Sequence, residues 1–354
     1  MIEDTAFSLS DDARTIVLLC SSLAAARGET VRPLGPVGFA KLLAALGERG
    51  LTPGALLTAG ADGRGDVARV AEGLDLGISA EDVGRLLARS GHLGFELERL
   101  AGRGIRILTL ADAGYPWRLR ERLGRQAPPV LFVAGDPSLL DAGGVAIVGS
   151  RDVDAAGSAW AAALANGAAR NGTAVVSGGA RGVDQTAMSA AFAGGGRVLG
   201  VLPEGIERRI RERETRAALA DGAVVLASPY HPGAGFTAGA AMARNKLIYA
   251  LSDIAVVVAS AAESGGTWAG AVEALRAGWV PVFARSVGGA GASAGLARLI
   301  GQGALPLEDP EVPFVPVMPS AYPEASPRPV AAVREEPAAR LEPAAPVQQT
   351  FDLL

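Results

Sequence analysis

Four short segments of this sequence carry the residue types that hold phosphate. Gly149-Ser150-Arg151 follows the apolar run Val145 to Val148, and Ser177-Gly178-Gly179-Ala180-Arg181-Gly182-Val183-Asp184 follows Ala174 to Val176. Glu263-Ser264-Gly265-Gly266-Thr267 follows the run at 254 to 259, and Arg244-Asn245-Lys246 lies within or beside a helix. Glycine lets backbone amides approach a ligand closely, hydroxyl and guanidinium groups donate hydrogen bonds, and a helix opening at such a turn presents free N–H groups. Any one of these turns alone is an ordinary tight connection. Four of them meeting on one sheet edge point to an anion-binding cleft.

Other chemistries are disfavoured by what the chain lacks. The lysines are Lys41, after Ala40, and Lys246, after Asn245, each followed by leucine, so no Gly-Lys-Ser/Thr phosphate loop is encoded. Gly-x-Gly-x-x-Gly is absent after the first strand candidates, which disfavours a dinucleotide oxidoreductase. Cys20 is the single cysteine and His92 and His231 are the two histidines, too few and too far apart for a structural zinc site. No metal and no cofactor are expected.

The elements that must position the four turns follow from periodicity. Eight apolar runs begin at Ile105, Val130, Val145, Ala174, Val198, Ala223, Ile254 and Val280, and most lack polar alternation, as strands buried on both faces do. Alanine-rich stretches at 155–170, 184–193, 207–220 and 267–277 supply crossover helices. The fold class expected is α/β, with an open, doubly wound, mostly parallel sheet whose ligands bind at the carboxyl ends of the strands. Before it, residues 1–104 read as a small all-helical module, with helices at 15–26, 37–49, 53–58, 66–72 and 80–89.

The sequence has 354 residues, of which 49% are hydrophobic, and a net charge of −4. Residues 306–354 hold 11 of the 22 prolines and a net charge of −5, so 305–354 reads as a disordered tail and the preceding chain as nearly neutral, at +1. Net charge therefore neither supports nor excludes a nucleic-acid partner. No run reaches the roughly 18 apolar residues of a membrane span. With an acidic N-terminus unlike a secretory signal, the cytoplasm is the expected compartment.

In order along residues 105–285, the segments Gly114-Tyr115-Pro116, Pro128-Pro129-Val130-Leu131-Phe132, Ala146 to Arg151, Val176 to Asp184 and Arg244-Asn245-Lys246-Leu247-Ile248 resemble the DNA-processing protein A family (DprA, also called Smf). The resemblance implies a Rossmann-like domain at 105–304 that binds single-stranded DNA without being an enzyme, forms a homodimer, and loads a RecA-type recombinase during recombination and natural transformation. By position, Gly149, Ser150 and Arg151 would form a first phosphate loop. Ser177, Gly178, Arg181 and Gly182 would form a second, with Asp184 ordering the turn. Arg244, Asn245 and Lys246 would line the DNA track, joined by Ser264, Gly265, Gly266 and Thr267. With aromatics at 5%, base stacking is not the expected main source of affinity.

Three features leave alternatives open. Ser264-Gly265-Gly266-Thr267 with Glu273 is also similar to the phosphate signature of the lysine-decarboxylase-like (LOG) phosphoribohydrolases, which implies a nucleotide-cleaving enzyme or a nucleotide sensor. The stretch Arg208 to Arg216, interleaved with Glu212 and Glu214, reads as a solvated mixed-charge face or as a DNA-facing arginine ridge. Gln349 to Leu354 at the end of the tail loosely resemble sliding-clamp-binding peptides.

Overall fold

The computed structural model describes residues 9–26, 28–58, 70–71, 73–286 and 294–310. The tail beyond residue 310, with its clamp-like peptide, and most of the helix expected at 66–72 lie outside the described residues.

Among the described residues nine strands form one sheet: β1 (Ile105–Thr109), β2 (Val130–Ala134), β3 (Val145–Gly149), β4 (Val175–Ser177), β5 (Val198–Val201), β6 (Val224–Ser228), β7 (Ile254–Ala259), β8 (Val282–Arg285) and β9 (Leu305–Leu307). Their spatial order is β1-β2-β6-β5-β4-β3-β7-β8-β9. β2 runs antiparallel to both its neighbours, and the remaining pairings are parallel. The chain winds outward from β3 through β4, β5 and β6, then returns to place β7 on the other side of β3. The point where the winding reverses, between β3 and β7, is where an open α/β sheet leaves a crevice at its carboxyl edge.

The helices are α1 (Asp11–Cys20), α2 (Pro36–Gly47), α3 (Ala55–Thr58), α4 (Ala80–Leu87), α5 (Ser90–Ala101), α6 (Trp117–Leu123), α7 (Ala155–Arg170), α8 (Val183–Ala193), α9 (Arg213–Ala220), α10 (Ala238–Leu251), α11 (Gly265–Ala277) and α12 (Ala294–Gly301). Both faces of the sheet are covered over β2 to β7, which is why these strands are almost continuously apolar. Val145 and Ile147 of β3, with Ile254, Val256 and Val258 of β7, join one core with Trp160 and Leu164 of α7 and Ala187 of α8. The intervening Ala146, Val148, Ala255 and Val257 join the other, with Leu119 of α6, Leu247 and Ile248 of α10 and Leu299 of α12.

The first core also contains Ile16, Phe39 and Val83, so the N-terminal helices bury their apolar stripes in continuity with the sheet. Arg99 and Arg103, at the end of α5 and just beyond it, pair with Glu207 after β5 at 2.5 and 2.6 Å.

Three boundaries differ from those read in the sequence. Leu305–Leu307 is a strand paired in parallel with β8, not the start of the tail. Pro306 is tolerated there because an edge strand has no outer partner for the missing N–H. The helix expected at 207–220 is regular only over Arg213–Ala220, since Glu207 is held by the α5 arginines and Arg209–Arg211 forms a single 3-10 turn. Helix α5 was not anticipated, because Gly91 and Gly94 lower its propensity. Burial of Leu93 and Leu100 overrides that.

Candidate nucleic-acid interface

The three glycine-rich segments meet at the carboxyl edge of the sheet. The amide of Ser150, after β3, donates to the Ala259 carbonyl at the end of β7 at 2.9 Å, and the amide of Val183 reaches the Ser150 carbonyl at 3.4 Å. Gly182 sits at φ +88°, so close to the first loop that a Cβ would lie 2.5 Å from the Ser150 oxygen and 2.7 Å from that of Arg151. Only glycine combines that backbone angle with that approach. Gly149 is pressed likewise on Val183, where a Cβ would meet its Cβ at 2.8 Å.

Asp184, at the start of α8, is buried, and its carboxylate accepts the backbone N–H groups of Gly149, Ala180 and Gly178, the last at 3.2 Å. Burial raises its pKa to about 6, against the opposing influence of Arg244 and the three amides. An internal anion therefore occupies the amide pocket in which the sequence placed phosphate. The amides of Gly149 and Gly178 point at Asp184 rather than outward, and they define the loops instead of contacting a ligand. Among the described residues, the amides of Arg151, Gly179, Arg181 and Gly182 have no protein acceptor. They remain for an external anion, as does the start of α11, where Ser264 makes no side-chain cap.

The expected cations divide. Arg151 is exposed, its guanidinium 5.4 Å from the centre of the Phe236 ring, and it has no carboxylate partner among the described residues. Arg181 pairs with Asp152 at 2.6 Å, both side chains largely solvated. Arg244 is 3% exposed and donates to the Val201 carbonyl beneath the second loop. Its pKa falls to about 10 because it is buried, with the charge of Asp184 opposing the fall. It is a buttress of the loop, not a surface contact. A helix turns each successive residue by about 100°, so Asn245 and Lys246 leave in other directions. Asn245 donates to the Gly266 carbonyl at 3.0 Å, fixing the α11 entry. Lys246 reaches Gln126 at 3.0 Å, away from the three joined loops.

Ser177 is fully buried and donates to the Ile147 carbonyl at 2.6 Å, bracing β4 to β3. Ser150 accepts the Asp152 amide at 3.1 Å, and Thr267 is half-buried in the first turn of α11. Glu273, the acid of the phosphoribohydrolase-like reading, is exposed, and its charge acts on Lys246. It is not assembled with the glycine turn into a catalytic pair. In the arginine-rich stretch, Arg208 and Arg209 lie 3.6 and 3.4 Å from Glu204, and Arg211 lies 3.7 Å from Glu207. That surface is a mixed-charge face.

Two residues at this edge were missed in the sequence. Phe236 is 48% exposed at the end of a glycine-containing loop, which was a readable signal, and Met242 of α10 is exposed near Gly266. Asp152 directly follows Arg151, but its pairing with Arg181, 29 positions on, needs the fold.

Comparison with known proteins agrees with this architecture. The family model described as DNA recombination-mediator protein A matches residues 106–313. A relative from Mycobacterium tuberculosis is 33% identical over 230 residues, covering 59% of this chain and 57% of that protein. The DNA processing protein DprA of Bacillus subtilis is 32% identical over 179 residues, 49% of this chain and 59% of that one. This chain thus spans little more than half the length of the curated relatives it matches. The X-ray structure of DNA processing protein A from Streptococcus pneumoniae has the same fold, with a TM-score of 0.54 at 24% identity over 78% of this chain and 96% of that one. The chain belongs to the DNA recombination-mediator protein A family.

Proposed function

We propose that this chain binds single-stranded DNA along the carboxyl edge of its sheet and acts as a non-enzymatic recombination mediator. The observation that carries this reading is the junction of the loops after β3, β4 and β7, which gathers on one rim the exposed ring of Phe236 with amides and an Arg151 that have no partner among the described residues. Amides and a guanidinium suit a phosphate backbone, and contacts to the backbone carry no sequence information. A single strand offers bases that can lie on an aromatic face, which a duplex does not.

The phosphate contacts are then the outward amides of the second loop, the α11 start at Ser264 to Thr267, Arg151, and Arg181 once released from Asp152. Arg244, Ser177 and Asp184 support the rim without touching the strand, and Lys246 lies outside it. Delivery of the strand to a RecA-type recombinase and self-association into a homodimer extend the same reading by family resemblance, and engagement of a sliding clamp by Gln349 to Leu354 extends it by their resemblance to clamp-binding peptides. Titrating labelled single- and double-stranded oligonucleotides with the full chain tests it. Tighter binding of the single strand with a strong salt dependence is expected, and equal weak binding of both would refute it.

A further inference from the structure

The ion pair between Arg181 and Asp152 bridges the loops after β4 and β3, with N to O at 2.6 Å and the side chains 74% and 85% exposed. Its chemistry is that of the ligand: a carboxylate oxygen accepts from Arg181 at the rim where a phosphate oxygen would accept. The Asp152 backbone is fixed for this, its amide bonded to the Ser150 hydroxyl at 3.1 Å. Asp152 has no second role in helix capping, which Asp154 performs by accepting the Gly157 amide at 2.7 Å. An exposed pair of this kind contributes little to stability and exchanges readily.

We infer that Asp152 is an internal competitor for phosphate at Arg181, and that it sets the affinity of the rim. This rests on the single-stranded DNA reading above. In the free protein Asp152 holds the guanidinium. A bound strand replaces the carboxylate with a phosphate, releasing Asp152 to water. A monomeric phosphate contacts too little of the rim to offset that exchange, whereas a polymer engages Arg151, the amides and the α11 start at once. Asp152 thereby lowers the affinity of every ligand that needs Arg181, and a strand, with its other contacts, still binds.

The test is a fluorescence-anisotropy titration of a labelled oligothymidine with the full chain at two salt concentrations, using wild type, D152N, R181Q and the double variant. Both side chains are solvated, so all four should melt alike. D152N should bind about 1.4- to fivefold tighter, the range that an exposed ion pair spans. The gain should shrink at the higher salt. It should vanish in the R181Q background, and competition by inorganic phosphate should become stronger for D152N than for wild type. Wild-type binding with no gain in D152N overturns the role of Asp152 alone. So does a gain that persists in R181Q, which would reflect long-range charge. Absence of strand binding by wild type overturns the DNA reading, and this inference with it.

Discussion

Asp184 accepts the amide of Gly178 at 3.2 Å, from the first turn of α8 back to the loop that precedes it, and its carboxylate also takes the amides of Gly149 and Ala180. One buried anion thus defines two loops that leave different strands. Replacing it with alanine leaves buried N–H groups without an acceptor, at about 1–3 kcal/mol each. Asp184→Ala should lower the denaturation midpoint and weaken DNA binding together, measured by chemical unfolding and by titration.

The same group gives a pH dependence of defined sign. Burial raises Asp184 to about 6, so the folded chain holds that proton more tightly than the unfolded chain. Its destabilising ionisation is absent below the unfolded value of about 4 and complete above the folded value. The stability of wild type relative to Asp184→Asn should therefore fall as pH rises from about 4 through 6 and level off above it. His231, whose pKa burial lowers, acts in the opposite sense but is common to both proteins and cancels in the difference. Unfolding midpoints of the pair across this range check the sign.

Gly182 and Gly178 are steric requirements of the rim. At Gly182 an alanine would need φ +88° and would bring its Cβ within 2.5 Å of the Ser150 oxygen, and at Gly178 it would stand 2.7 Å from the Arg244 Cζ. Gly182→Ala should destabilise by about 1–3 kcal/mol through backbone strain. Gly178→Ala should displace Arg244. Both should reduce thermal stability and DNA affinity in parallel, which melting curves and titrations will show.

Arg244 and Lys246 separate structural from ligand-facing cations. Arg244→Ala removes the donor to the buried Val201 carbonyl and a charge that favours ionised Asp184, and should cost about 1–3 kcal/mol. Lys246 is engaged with Gln126 outside the rim, so Lys246→Ala should leave DNA affinity and its salt dependence unchanged. Comparing stability and binding for the two variants checks this division.

Much of this was legible in the sequence because burial on both faces leaves apolar runs that periodicity recognises. β2 and β7 span the expected residues, and α7 begins and ends as the alanine-rich stretch implies. Strand β9 was hidden by Pro306, whose acceptability depends on an edge position that only the assembled sheet defines. The glycine turns were visible as candidate loops, but the direction of each donor was not. Arg244, Asn245 and Lys246 are consecutive, yet they face a carbonyl under the second loop, the α11 entry and Gln126. Composition likewise cannot show that Asp184 fills the amide pocket from within, or that one phenylalanine of an aromatic-poor chain stands exposed beside Arg151.

The central claim is that a polyanionic strand lies on this rim in contact with Arg151. The most direct measurement is the slope of log affinity against log salt for oligothymidine binding to wild type and Arg151→Ala. Losing one phosphate contact to a single strand should flatten the slope by about 0.7 and weaken binding at low salt. The melting temperature should be unchanged, since the guanidinium is exposed. Identical slopes and affinities for the two proteins would contradict the account.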